Sequence, residues 1–416
     1  MRVIGVIAEF NPFHNGHEYL IRKAKELTGD PRAMVLVVMS GPFTQRGLPS
    51  VLPKHLRARQ ALLCGADVVI ELPFSFACAP SERFAFGAVE LLYRTGVVTD
   101  IAFGTDTDNI ALLKSLSEMD FDNDEEYISI LKDNLSSGMS FPAARADAIC
   151  KVTDSGSEEE LRNALRRPNS ILALDYLRAV KKLKKNFNII AIPRVGEEYD
   201  SSSLDSDYPS ATAIRDAIYS CGNSPSGVAT KLCSLMPDKS LAAMLAALSS
   251  REFQFPDLDL YSKMILTSLP SEDPHTAYIG DSLYGHIMNT CDKLRSSDTD
   301  FKSLTKALNT KHFTDGRILR AIASLMVGQD EEFIKSHGHV PYIRVLGFSR
   351  DGRYCLKIMG KCAKVPIMHN CSDFLETQDS EVKDVFEKDQ KAQNIQDLLM
   401  GRALNGDWDI PPVSVK

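Results

Sequence analysis

Two histidines three residues apart, His14 and His17 with Asn15 and Gly16 between them, are the residues of this chain best placed to do chemistry. They follow an apolar, β-branched run from Val3 to Ile7 and an Asn11-Pro12 break, and they precede an amphipathic run from His17 to Glu26. That order reads as strand, turn and helix, with the imidazoles at the helix mouth. A helix mouth has unpaired amides and the positive end of the dipole, so it attracts anions, and Gly16 leaves room for a phosphate to approach the backbone. Imidazoles at i and i+3 leave a first helical turn in the same direction, so both can meet one triphosphate. Further along, Ser210-Ala-Thr-Ala-Ile-Arg215 offers complementary parts. The hydroxyls of Ser210 and Thr212, helix-start amides and Arg215 one turn later suit β- and γ-phosphates, and the arginine offsets charge building during in-line attack on the α-phosphate. No HExxH or paired-cysteine motif accompanies the histidines, so no protein-built metal cage is expected.

The elements that must carry these groups follow from hydrophobic period. Ala33 to Met39 is a second buried strand, and Ser40 to Gly47 is a loop at its carboxyl end, where ligands of open α/β sheets bind. Lys54 to Cys64 then reads as helix, Ala66 to Leu72 as strand, Glu82 to Tyr93 as helix and Val98 to Phe103 as strand. This alternation predicts an α/β fold, a doubly wound parallel sheet with right-handed crossovers. A helical insert spans about 108 to 185, with Ser157 to Glu160 as a capping box and Pro168 in a helix's first turn, before Phe187 to Pro193 returns to strand. The polar stretch from Glu197 to Tyr208 reads as a mobile lid arm ahead of the Ser210 helix. Cys221 to Gly227 has linker composition and divides the chain into an ATP- and acetate-activating region, 1–222, and a mainly helical region, 223–416. Within the latter, Val340 to Phe348 and Tyr354 to Met359 suggest a small β-hairpin. The tail past Glu376 reads as charged, helical or loosely ordered.

A chain of 416 residues, 44% hydrophobic, can bury a large core. No stretch approaches a membrane span, the first residues lack signal-peptide character, and the nine cysteines have no regular spacing, which together lead us to expect a cytoplasmic protein with reduced thiols. A formal net charge of −7 argues against an indiscriminate polyanion binder. It leaves room for a tRNA held by local basic clusters, among which Lys311, Arg317 and Arg320 are the leading candidates, with Lys181 to Lys185 as the alternative.

The string His14-Asn-Gly-His17 behind Phe10-Asn-Pro-Phe13 resembles the HxGH signature of the nucleotidyltransferase superfamily, and Ser210 to Arg215 resembles its ISSTxIR-type second signature. With Ser40 to Gly47, Gly65 to Pro73, Phe103-Gly-Thr105, Arg167 to Leu172, Pro193-Arg-Val195 and Pro341 to Gly347, the chain from residue 1 to about 370 is similar to the bacterial tRNA(Met) cytidine acetate ligase family. The resemblance implies activation of acetate by ATP to acetyl-adenylate, then transfer of the acetyl group to N4 of the wobble cytidine of elongator tRNA(Met). It implies ATP contacts at Ile7, Ala8, Glu9, Phe10, Asn11, Pro12, Phe13, His14, Asn15, Gly16, His17, Glu18, Tyr19 and Leu20. It implies further contacts at Gly104, Asn169, Arg194 and Val195, with Ser210 and Thr212 added from the second signature. His14, His17 and Arg215 are the expected catalytic residues, and Mg²⁺ is expected to accompany ATP, held by phosphates and water. Gly104 would let the nucleoside approach a strand end, Asn169 would read a base edge or ribose hydroxyl through paired donor and acceptor, and Arg194 would meet phosphate or stack on the base. Thr105-Asp106 replaces the family's acidic SE-type pair and Ser170 replaces the second Asn of PNN, so no role is carried over to those side chains. Two rival chemistries share these motifs: acetate activation for another acceptor, as in citrate lyase ligases, and adenylyl transfer to a small molecule.

Overall fold

The computed structural model describes residues 1–153, 158–194, 208–269, 278–294, 299–310 and 313–416. Its centre is one eight-stranded sheet: β1 (Val3–Ala8), β2 (Met34–Ser40), β3 (Val68–Leu72), β4 (Asp100–Thr105), β5 (Asn188–Pro193), β6 (Ile343–Phe348), β7 (Ile367–Met368) and β8 (Val413–Ser414). The order is β5-β4-β1-β2-β3-β6-β7, with β8 also paired to β6, and β1 to β5 are mutually parallel. The order reverses at β1, between β2 and β4, and such a switch point opens a crevice beyond the carboxyl ends of the strands.

Alternation along the strands builds a core on each face. Val3, Leu36, Val38, Ile70 and Ile101 belong to one apolar cluster with the helices Ser81–Arg94 and Pro168–Lys182. Ile4, Val6, Val35, Val37 and Val69 belong to a second cluster with α1 (Asn15–Thr28) and α2 (Lys54–Leu63). The insert is helical as its pattern indicates, from Ile110–Ser117 through Pro168–Lys182, and Pro168 does occupy a first helical turn. The expected capping box at Ser157 lies outside the described residues.

The carboxyl-terminal β-element departs from the expected hairpin. Val340 to Phe348 does contain a strand, but Tyr354 to Met359 lies within the helix Gly352–Cys362. That run alternates weakly, and its half-buried helical face satisfies the same apolar residues. β6 pairs antiparallel with β3 in the amino-terminal sheet, Val68 opposite Phe348 and Glu71 opposite Arg344. A buried ionic cluster fastens the seam: Lys54 Nζ contacts Glu71 at 3.0 Å and Asp407 at 2.8 Å, while Arg344 contacts Glu71 at 3.2 Å and Asp407 at 2.7 Å. Burial opposes ionisation of Asp407, but Lys54, Arg344 and His55 outweigh it and hold the carboxyl well below its usual range. The tail past Glu376 is ordered, its helix Ser380–Leu399 packing through Asp389, which accepts from Phe74 N at 2.7 Å. No helix among the described residues is long and apolar enough to cross a membrane. All nine cysteines are free thiols, five of them buried.

Candidate functional site

β1 delivers the chain to the site through Phe10, whose φ of 48° is unusual for an aromatic residue, and through a cis Asn11-Pro12 bond. The chain then enters α1 with His14 as its N-cap. His14 Nδ1 accepts from Gly16 N at 3.1 Å, and His17 Nδ1 accepts from His14 N at 3.3 Å, a capping box built from two imidazoles. Because both Nδ1 atoms accept from backbone N–H groups, the proton of each neutral ring sits on Nε2, where it is a donor for a ligand. The rings lie 3.8 Å apart at 30°, so they do serve one ligand together. Burial, then Arg194 and Arg215, lowers the His14 pKa to about 3; burial, then His14 and Arg194, lowers that of His17 well below the imidazole range.

Two expectations for this helix mouth are corrected. His14 is 7% exposed rather than open to solvent, because Phe10, Phe13 and the loop before α1 close around it. The first amides of α1 are not unpaired: Asn15 N donates to Leu235 O at 3.2 Å, Gly16 N to His14 Nδ1, and His17 N to His14 O at 2.9 Å. The helix dipole and the Nε2–H groups therefore carry the attraction for an anion, not free backbone donors.

The opposite wall comes from the ends of β4 and β5 and the start of the helix Pro168–Lys182. A side chain at Gly104 would place its Cβ 3.3 Å from Arg194 Cγ, so glycine keeps that arginine against the strand end. Asn169 donates to Asp106 from its backbone at 3.1 Å and from Nδ2 at 3.0 Å to each carboxylate oxygen. Arg194 stands 3.8 Å from the same carboxylate. Val195 lies outside the described residues.

At the second signature, the helix Ala211–Ser220 is capped by Ser210, whose Oγ accepts from Ala213 N at 3.0 Å. Arg215 donates to Thr212 Oγ1 at 2.9 Å and to Asn11 O at 3.1 Å. Thus the arginine reaches the histidine loop, while the two hydroxyls are engaged within their own helix. The lid expected over Glu197 to Tyr208 lies outside the described residues except for Tyr208, whose ring meets Tyr19 edge-on at 5.8 Å.

These walls enclose one cavity lined by Ile7 to Asn11, His14, Gly16, His17, Tyr19, Leu20, Gly104, Asn169, Arg194 and Arg215. Pro12, Phe13, Asn15, Glu18, Ser210 and Thr212 do not line it; Phe13 is core and Glu18 is exposed. Sequence reasoning missed an apolar wall of Phe84, Phe103, Leu172 and Tyr176. Leu172 and Tyr176 stand three and seven residues after Asn169 on one helical face, which was the available signal. Glu9 also lines the cavity, its Oε1 accepting from Gln45 N at 2.7 Å. Buried Arg57 binds Glu9 O at 2.6 Å, Ser40 O at 3.0 Å and Gly41 O, tying the ends of β1 and β2 together. Of the basic candidates, Arg317 is exposed with its guanidinium 5.2 Å from the Phe313 ring, and Lys311 lies outside the described residues. Arg320 is half-buried and donates to Gln45 O at 3.3 Å.

Comparison with known proteins agrees with this arrangement. The family profile described as HIGH Nucleotidyl Transferase matches residues 1–407. The tRNA(Met) cytidine acetate ligase of Caldanaerobacter subterraneus subsp. tengcongensis is 35% identical over 401 residues, covering 96% of this chain and 95% of that protein. The protein of the same name from Clostridium perfringens is 31% identical over 423 residues, covering 99% of each. Among solved structures, Thermotoga maritima TmcAL bound with alpha-thio ATP superposes with a TM-score of 0.86 at 29% identity, and its apo form with 0.88 at 30%, each covering 100% of both chains. With an HxGH pair, a parallel sheet reversing at β1 and relatives aligned from end to end, the chain belongs to the tRNA(Met) cytidine acetate ligase family of HIGH nucleotidyl transferases.

Proposed function

We propose that this protein is an ATP-dependent ligase that activates acetate and acetylates N4 of the wobble cytidine of elongator tRNA(Met), working with its tRNA in the cytoplasm. The observation that carries the reading is the paired neutral imidazoles, each with Nε2–H left for a ligand, in one cavity with Arg194 and Arg215. In the first step an acetate oxygen attacks the α-phosphorus of ATP, forming acetyl-adenylate as the bond to the bridging oxygen breaks and pyrophosphate leaves. Charge builds on the α-phosphate and the leaving oxygen, where donors fixed in place stabilise the transition state more than the ground state. His14 and His17 supply neutral hydrogen bonds there, and Arg215 supplies positive charge. Mg²⁺ would travel with the triphosphate, coordinated by its oxygens and water. In the second step the cytidine amine attacks the acetyl carbonyl carbon, AMP leaves, and the amine loses a proton. Region 1–222 supplies the nucleotide site in this reading, while 223–416 supplies tRNA contacts, with Arg317 the exposed candidate.

The test is incubation with ATP, labelled acetate and total bacterial tRNA, followed by nuclease digestion and mass analysis. Label on N4-acetylcytidine of tRNA(Met) is the expected result. Acetate-dependent pyrophosphate exchange without labelled tRNA would point instead to a thiol or other acceptor, as in a citrate lyase ligase. Absence of acetyl-adenylate would leave a small-molecule adenylyltransferase.

A further inference from the structure

Asn169 stands at the rim of the cavity with the conformation of its amide fixed by chemistry. A carboxylate has no hydrogen to give, so the 3.0 Å contacts from the Asn169 side chain to both oxygens of Asp106 must come from Nδ2. Asn169 N adds a third donation at 3.1 Å. The amide's donor edge is consumed, and Oδ1 is the polar atom that this side chain offers to the cavity. The expectation of a paired donor and acceptor is thereby reduced to an acceptor alone. Leu172 and Tyr176 follow on the same helical face and, with Phe103, form an apolar wall in the same cavity. Such a wall suits a planar base rather than a ribose, which puts the polar edge of the base beside Asn169.

We infer that Asn169, oriented by Asp106, selects a base bearing an exocyclic amino group, adenine over hypoxanthine, for the nucleotide that enters this cavity. The inference rests on the ATP reading above. An amino group donates to Oδ1, whereas the carbonyl oxygen of hypoxanthine would face another acceptor and leave both buried groups unpaired. Asp106 is a positioning residue: it touches no substrate in this scheme but prevents the amide from turning its Nδ2 toward the base.

Equilibrium binding of ATP, ITP and purine riboside triphosphate, which lacks any group at C6, tests this on the full chain without acetate or tRNA. The wild type is expected to bind ATP about tenfold more tightly than purine riboside triphosphate, the weight of one hydrogen bond, with ITP weaker still. Asn169→Leu should bring ATP and purine riboside triphosphate to equal affinity, and Asp106→Ala should narrow the preference. Each variant serves as its own reference, so a general loss of affinity does not mimic the result. Equal affinities in the wild type, or an unchanged ratio in Asn169→Leu, would overturn the inference while leaving the nucleotide site standing. Failure of the wild type to bind any of the three would overturn the ATP reading, and the inference with it.

Discussion

His14 has two jobs that separate by substitution. Its Nδ1 caps α1 and its Nε2–H is left for a phosphate, so His14→Ala should lower acetate-dependent pyrophosphate exchange by about a hundredfold or more. It should also cost stability of about 0.5–2 kcal/mol from the lost cap. His14→Asn keeps an acceptor for the cap and should lose only the exchange; thermal unfolding run beside the exchange assay distinguishes them, and exchange at wild-type rates in both would remove His14 from the mechanism. The lowered pKa values also have a sign. A histidine with a folded pKa of about 3 takes up a proton less readily than the unfolded chain, so stability is complete above the ordinary imidazole range and declines as pH falls through 6.5 toward 3. In the free enzyme both rings stay neutral across that interval, and kcat/KM for exchange should show no acid limb near 6.5; a limb there would mean that a ring titrates normally. The spacing of the histidines and the small residue between them were legible in the sequence because they are local. Satisfaction of the α1 amides was not, since one acceptor, Leu235 O, arrives from far along the chain.

The loop between β2 and α2 is the element on which the cavity leans. A Cβ at Gly47 would lie 2.3 Å from Arg320 N, and φ there is +81°, so the loop backbone sits directly on the helix Asp315–Val327. Gly47→Ala is expected to destabilise the protein by about 1–3 kcal/mol and to lower pyrophosphate exchange as Gln45 and its partner Glu9 shift. Denaturant unfolding and exchange rates check both, and an unchanged midpoint would show that the helix yields without cost. Strand and helix alternation in the first hundred residues was readable because each element has its own period and a clear break after it. The Tyr354 to Met359 run was misread because six residues with few breaks fit a strand and a helix equally well, and the neighbours settle it.

Across the whole molecule, Arg317 and Arg320 occupy one helix but differ in burial, which predicts different phenotypes. Arg317→Glu should weaken tRNA binding, flatten its dependence on salt and spare acetyl-adenylate formation. Arg320→Ala should depress acetyl-adenylate formation itself, because it releases Gln45 O beside the cavity. Filter binding across a salt series and tRNA-free exchange separate the two, and identical profiles would place both arginines in one role. The charge of these residues could be read from the sequence, whereas their division of labour depends on which one the loop covers.

Insertion of β6 beside β3 bears on how the polypeptide is made. Every residue of β3 is buried in the finished protein, yet its antiparallel neighbour is synthesised more than half the chain later. Until Ile343–Phe348 leaves the ribosome, the nascent chain carries an apolar strand edge with unpaired N–H and C=O groups, and Lys54 and Glu71 lack Arg344 and Asp407. Ribosome-stalled chains ending near residue 230 should therefore be sensitive to protease around β3 and recruit chaperones there, and protection should appear only once Asp407 has emerged.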